Sequence, residues 1–69
     1  MTRKTIIATA DADNRFTVTT DNAGTLVKRH GRGAIAVRFW NDGGITLADM
    51  DATAAKNMKV CDAAKALGL

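Results

Sequence analysis

Between residues 15 and 20, Phe16 and Val18 alternate with Thr17 and Thr19, the period-two pattern of a half-buried strand. The same alternation returns over 34–40, where Ile35, Val37 and Phe39 interleave with Ala36, Arg38 and Trp40. Residues 4–10 are rich in β-branched side chains and lack a helical repeat, so they are read as a first strand. Residues 25–29, with Leu26 and Val27, form a strand between two turns, and residues 45–48 or 45–50 return beside the strand that precedes them. From residue 52 onward the pattern changes. Val60, Ala63, Ala64 and Leu67 fall at the i, i+3, i+4, i+7 spacing of a helix face, and Gly68 is placed to end that helix. The helix spans 60–67, with a looser turn before it.

The turns have local chemistry of their own. Asp21-Asn22-Ala23-Gly24 and His30-Gly31-Arg32-Gly33 carry residues that tolerate tight or left-handed backbone. Asn41-Asp42-Gly43-Gly44 predicts a hairpin of type I′. Asp11 and Asp13 are read as turn residues, and Asp51 or Thr53 as a helix cap. The fold class that results is α+β: an antiparallel meander of four or five short strands with one C-terminal helix packed on the sheet, in a single domain over 1–69.

Composition narrows the functions available. At 69 residues with eighteen large apolar side chains, the chain builds one small core, close to the size at which burial and chain entropy cancel, so self-association is a live expectation. Glu, Gln, Ser, Tyr and Pro are all absent. With one His that has no carboxylate near it in sequence, and one Cys far in sequence from that His, catalysis is not expected and no cofactor is called for. Cys61 forms no internal disulfide and is expected to be a small buried hydrophobe. The aspartates match no metal-binding spacing. No stretch is long and apolar enough for a membrane span or a signal peptide, which makes a cytoplasmic, membrane-independent protein the expectation.

Charge points to a partner. The net +3 is uneven: residues 1–40 carry seven Lys or Arg against three Asp, and residues 41–69 three against four. The basic hairpin Lys28, Arg29, His30 and Arg32, extended by Arg38 and by Trp40, is the candidate binding site for a nucleic acid or nucleoprotein complex. Arg3, Lys4 and Arg15 extend it further if they share its face. The competing reading is a solvated hairpin whose cations block edge-to-edge pairing. Phe16 and Phe39 are assigned to the core, whereas Trp40 faces away from it, either as an anchor for a base or protein or as a cap over the far face.

Two resemblances complete the reading. Residues 58–69, with Val60, Asp62, Ala63, Ala64 and Leu67-Gly68-Leu69, look like the first helix and turn of a helix-turn-helix without the helix that reads DNA; they are better taken as a glycine-ended helix with Leu69 folded onto the core. Gly31-Arg32-Gly33 before a strand, Asn41-Asp42-Gly43, Ala48-Asp49-Met50-Asp51 and the Asp62-Ala63-Ala64 to Leu69 ending together resemble the small accessory proteins of phages and prophages, the anti-CRISPR proteins among them. That resemblance implies a stoichiometric, non-catalytic binder, here basic where many such inhibitors are acidic DNA mimics. The alternatives it leaves are an inhibitor that blocks a host defence complex through protein contacts alone, and a structural homodimer or larger homo-oligomer paired through a strand at 2–10.

Overall fold

The computed structural model describes residues 1–51 and 57–69. Its elements in chain order are helix α1 (Arg3–Asp11), strands β1 (Phe16–Thr20), β2 (Gly24–Arg29), β3 (Ile35–Trp40) and β4 (Ile45–Leu47), and helix α2 (Val60–Leu67). The strands form one antiparallel sheet in the order β1-β2-β3-β4, a meander, with both helices packed on it. The α+β class, the C-terminal helix and its bounds agree with the sequence reading; the strand count is four. The Ala-rich run 52–56, with the expected cap at Thr53, lies outside the described residues.

The first segment departs from expectation. Residues 4–10 belong to α1, not to a strand. Thr2 caps the helix, its hydroxyl accepting from the Thr5 backbone N–H at 3.1 Å. Ile6 and Ala10, one turn apart, are fully buried against the sheet. That burial outweighs the mild preference of Thr and Ile for extended backbone. The homo-oligomer pictured through a strand at 2–10 loses its strand accordingly.

The strand register sorts the side chains between two faces. Phe16 pairs with Arg29, Val18 with Val27, Val27 with Val37, and Phe39 with Ile45. These residues share the face on which Ile6, Ala10, Ala63, Ala64 and Leu67 complete the core. Val27, Val37, Phe39 and Leu67 are fully buried there. The β3–β4 hairpin is a correction in detail. Trp40 accepts from Gly43 N–H and donates to Gly44 C=O, which leaves a three-residue loop with positive φ at Gly43 alone. A type I′ turn needs positive φ at two central residues, and Asp42 does not supply it.

Helix α2 ends in a Schellman pair: Leu69 N–H donates to Ala64 C=O at 2.9 Å and Gly68 N–H to Lys65 C=O at 3.0 Å. Leu69 thereby folds back onto the core, as expected. Cys61, on the first turn of α2, is exposed rather than buried. The buried face of the helix runs through Ala63, Ala64 and Leu67, and Cys61 lies off that stripe.

Candidate nucleic-acid interface

The face opposite the core carries no described helix. Along β2 it presents Leu26 and Lys28, along β3 Ala36, Arg38 and Trp40, along β1 Thr17 and Thr19, and along β4 Thr46. Lys28 stands between Thr17 and Ala36, and Arg38 between Leu26 and Thr46. The Lys28 side chain is exposed and makes no hydrogen bond or ion pair among the described residues. The His30 imidazole Nε2 shares a hydrogen bond with Thr17 Oγ1, which holds the ring against β1 on this face. Arg32 projects from the exposed β2–β3 loop. Lys28 and His30 thus stand toward one end of the open face, the end at which the β2–β3 loop carries Arg32.

At the other end, Arg38 and Trp40 are held more tightly. The Trp40 indole Nε1 donates to Thr46 Oγ1 at 2.8 Å, and that hydroxyl donates in turn to Met50 C=O at 3.2 Å. The ring is thereby laid across β4, half-buried, and Thr46 beneath it is 1% exposed. The Arg38 guanidinium sits 5.3 Å from the Trp40 ring centroid and pairs with Asp21 at 3.1 Å. Asp21 also accepts from the backbone N–H groups of Ala23 and Gly24 in the β1–β2 turn. The Ala23 N–H foremost, then Arg38 and Gly24, hold the Asp21 carboxyl below its ordinary range. Trp40 is therefore both cap and platform: one edge is spent on Thr46 and the ring is overlaid by a cation.

Arg29 is not brought together with these residues. Opposite Phe16 and Ile35, it belongs to the core face. Its guanidinium donates to Leu67 C=O at 3.2 Å and Gly33 C=O at 2.8 Å, so it ties the end of α2 to the β2–β3 loop. The three further cations are placed variously. Arg3 lies over the Phe39 ring and donates to Trp40 C=O, Lys4 is on α1, and Arg15 is engaged by Asp13 at 2.8 Å. Sequence reasoning missed Asp21 and Thr46. The Asx pattern Asp21-Asn22-Ala23-Gly24 signalled the first; the second needs the register.

Among the described residues no group of three or more His, Cys or Asp side chains is placed to hold a metal ion, and no helix is long and apolar enough to cross a membrane. Comparison with protein-family models, with curated proteins and with solved structures finds no match.

Proposed function

We propose that this protein is a non-enzymatic binding module that contacts a nucleic acid, free or within a nucleoprotein complex, through the open face of its sheet. One observation carries the reading: both helices pack on the same face, so Lys28, His30, Arg38 and Trp40 share the other, and the loop that bears Arg32 adjoins it. Lysine and arginine neutralise phosphates and release counterions, while an indole overlaid by a guanidinium offers a flat surface for a base. Arg29 takes no part, because its charge serves α2.

The test is fluorescence anisotropy of labelled DNA and RNA oligonucleotides over a range of salt, with the wild type, K28A/R32A and R38A. Wild-type affinity is expected to fall linearly with salt on logarithmic axes. K28A/R32A should flatten that slope by about 0.7 to 0.9 for each phosphate it no longer neutralises. Absence of binding at low salt overturns the reading.

A second reading is favoured by Arg38, whose charge is already paired with Asp21 beside the half-buried Trp40, Leu26 and Ala36. This Trp–Arg pair resembles a protein hot spot, and a protein partner such as a host defence complex would bind there with little salt dependence and survive nuclease.

A further inference from the structure

The helical first segment leaves β1 as a bare edge of the sheet. At the opposite edge, β4 is met by Met58, whose N–H donates to Ile45 C=O at 2.6 Å. Nothing described does the same for β1. Its sequence, Phe-Thr-Val-Thr-Thr, has no charge, proline or bulge, the devices that usually protect an edge from pairing. Arg15 C=O accepts from His30 N–H, and Asp21 N–H donates to Gly24 C=O. Antiparallel alternation then directs the bonds of Thr17 and Thr19 toward β2, and those of Val18 and Thr20 outward. The Phe16 N–H is taken by Asp13 C=O, but the Phe16 carbonyl also faces out.

A second observation lies on α1, which the short connection at 12–15 folds back over β1. A shallow groove there is lined by Thr2, Arg3, Lys4, Ile7, Ala8 and Asp11. Ile7 lies about a quarter-turn around the helix from buried Ile6 and Ala10, and Asp11 and Lys4 on the same side about a third of a turn or slightly more. The right-handed sense of the helix turns that flank toward the open side of β1. Lys4 and Asp11 stand at the two ends of this stripe, with half-buried Ile7 between them.

We infer that β1 and the flank of α1 form a two-fold interface with a second copy of this chain. With the axis beside Val18, β1 pairs antiparallel with its symmetry mate through four hydrogen bonds. Val18 exchanges two with the other Val18, and each Thr20 N–H donates to the opposite Phe16 carbonyl. The same axis sets the two α1 helices antiparallel, Ile7 against Ile7 and each Lys4 against an Asp11. Such self-complementarity of hydrogen bonds, apolar surface and charge is what an isologous contact requires.

The experiment is sedimentation equilibrium of the full chain from micromolar to millimolar concentration, on the wild type, T20P, K4D, D11K and K4D/D11K. The wild type is expected to move from 7.3 kDa toward twice that mass as concentration rises. T20P deletes two of the four donors without touching the β1–β2 ladder, and should weaken association roughly tenfold or more. K4D and D11K should each weaken it several-fold, with K4D/D11K restoring it, a rescue that a merely structural effect would not produce. Circular dichroism of T20P checks that it folds, and the charge series keeps the test decisive if it does not. A monomer at every concentration, a dimer indifferent to both sets of variants, or assemblies that grow without limit would each overturn the inference.

Discussion

Replacing Arg29 by Met tests whether this cation belongs to stability or to binding. The Arg29 fork joins Leu67 C=O to Gly33 C=O, and it lies so close over Gly68 that a Cβ there would come within 2.7 Å of Nη1. The Schellman bonds satisfy Ala64 and Lys65, which leaves the Leu67 carbonyl to Arg29. Methionine keeps much of the apolar stem and removes the fork. A hydrogen bond from a charged donor contributes roughly 1.5–3 kcal/mol, and a cation at a helix C-terminus about 0.3–1 kcal/mol. Discounted for partial exposure, the loss is about 2 kcal/mol, against a total stability of roughly 3–10 kcal/mol for a chain this size. In urea unfolding the midpoint should fall by about 1–2 M, and the thermal midpoint by roughly 8–16 °C. R29K, which keeps the charge but not the planar fork, should fall between the two. Arg32, exposed and without a partner among the described residues, supplies the control: R32M should stay within about 0.5 kcal/mol of wild type. If R29M unfolds at the same urea concentration as R32M, the assignment of Arg29 to the helix end is wrong.

Two further outcomes follow from the packing and the charges. Gly24 lies against β3 so closely that an added Cβ would sit 2.1 Å from the Phe39 carbonyl oxygen; G24A should therefore lose about 2–4 kcal/mol in urea unfolding, and an unchanged midpoint would contradict the close approach. Asp21 is held below its ordinary value of 3.8 by the Ala23 N–H, Arg38 and Gly24 N–H, and Asp13 by the Arg15 side chain and N–H. A depressed carboxylate contributes stability that is complete above the unfolded value and is lost as pH falls through the folded one. Stability should thus hold from neutrality to about pH 5 and decline below about pH 4, and D13N/D21N should flatten that acid limb; an identical limb in the variant would refute the assignment.

The legible parts of this fold are those where one local pattern and the tertiary packing agree. Phe16 and Val18, then Ile35, Val37 and Phe39, alternate because one side of each strand is buried, and Val60, Ala63, Ala64 and Leu67 repeat as a helix face for the same reason. Over residues 4–10 local preference and packing disagree. Thr and Ile favour extended chain, while Ile6 and Ala10 four apart, with Thr2 before them, favour a capped helix; the core decides for the helix. Arg29 was within reach. It stands two residues from Val27, on the same strand and therefore the same face, so alternation alone aims it at the core. The gathering of Lys28, His30 and Arg38 on one side follows the same parity, and Asp21 is marked as a turn residue by its Asx pattern, but its pairing with Arg38 and the Thr46 bond to Trp40 appear only with the register.

The helix at residues 3–11 has two consequences for the surface. It helps α2 cover the core face, which frees the other face from any need for a lid, and it withdraws from the sheet the strand that would have shielded β1. The basic face and the bare edge thus share one origin. They also share geometry, because Thr17 and Thr19 belong to the open face while Val18 and Thr20 turn their backbone groups to the edge. In the paired form the open faces of two copies would merge into one eight-stranded surface, with the two groups of Lys28, His30 and Arg32 on it related by the two-fold axis. A strand of nucleic acid spanning both groups would neutralise more phosphates than either copy alone, and its salt slope would steepen as the dimer forms. T20P, which alters no charge, would then lower both the affinity and the slope. K28A/R32A would lower them while leaving the mass of the dimer unchanged.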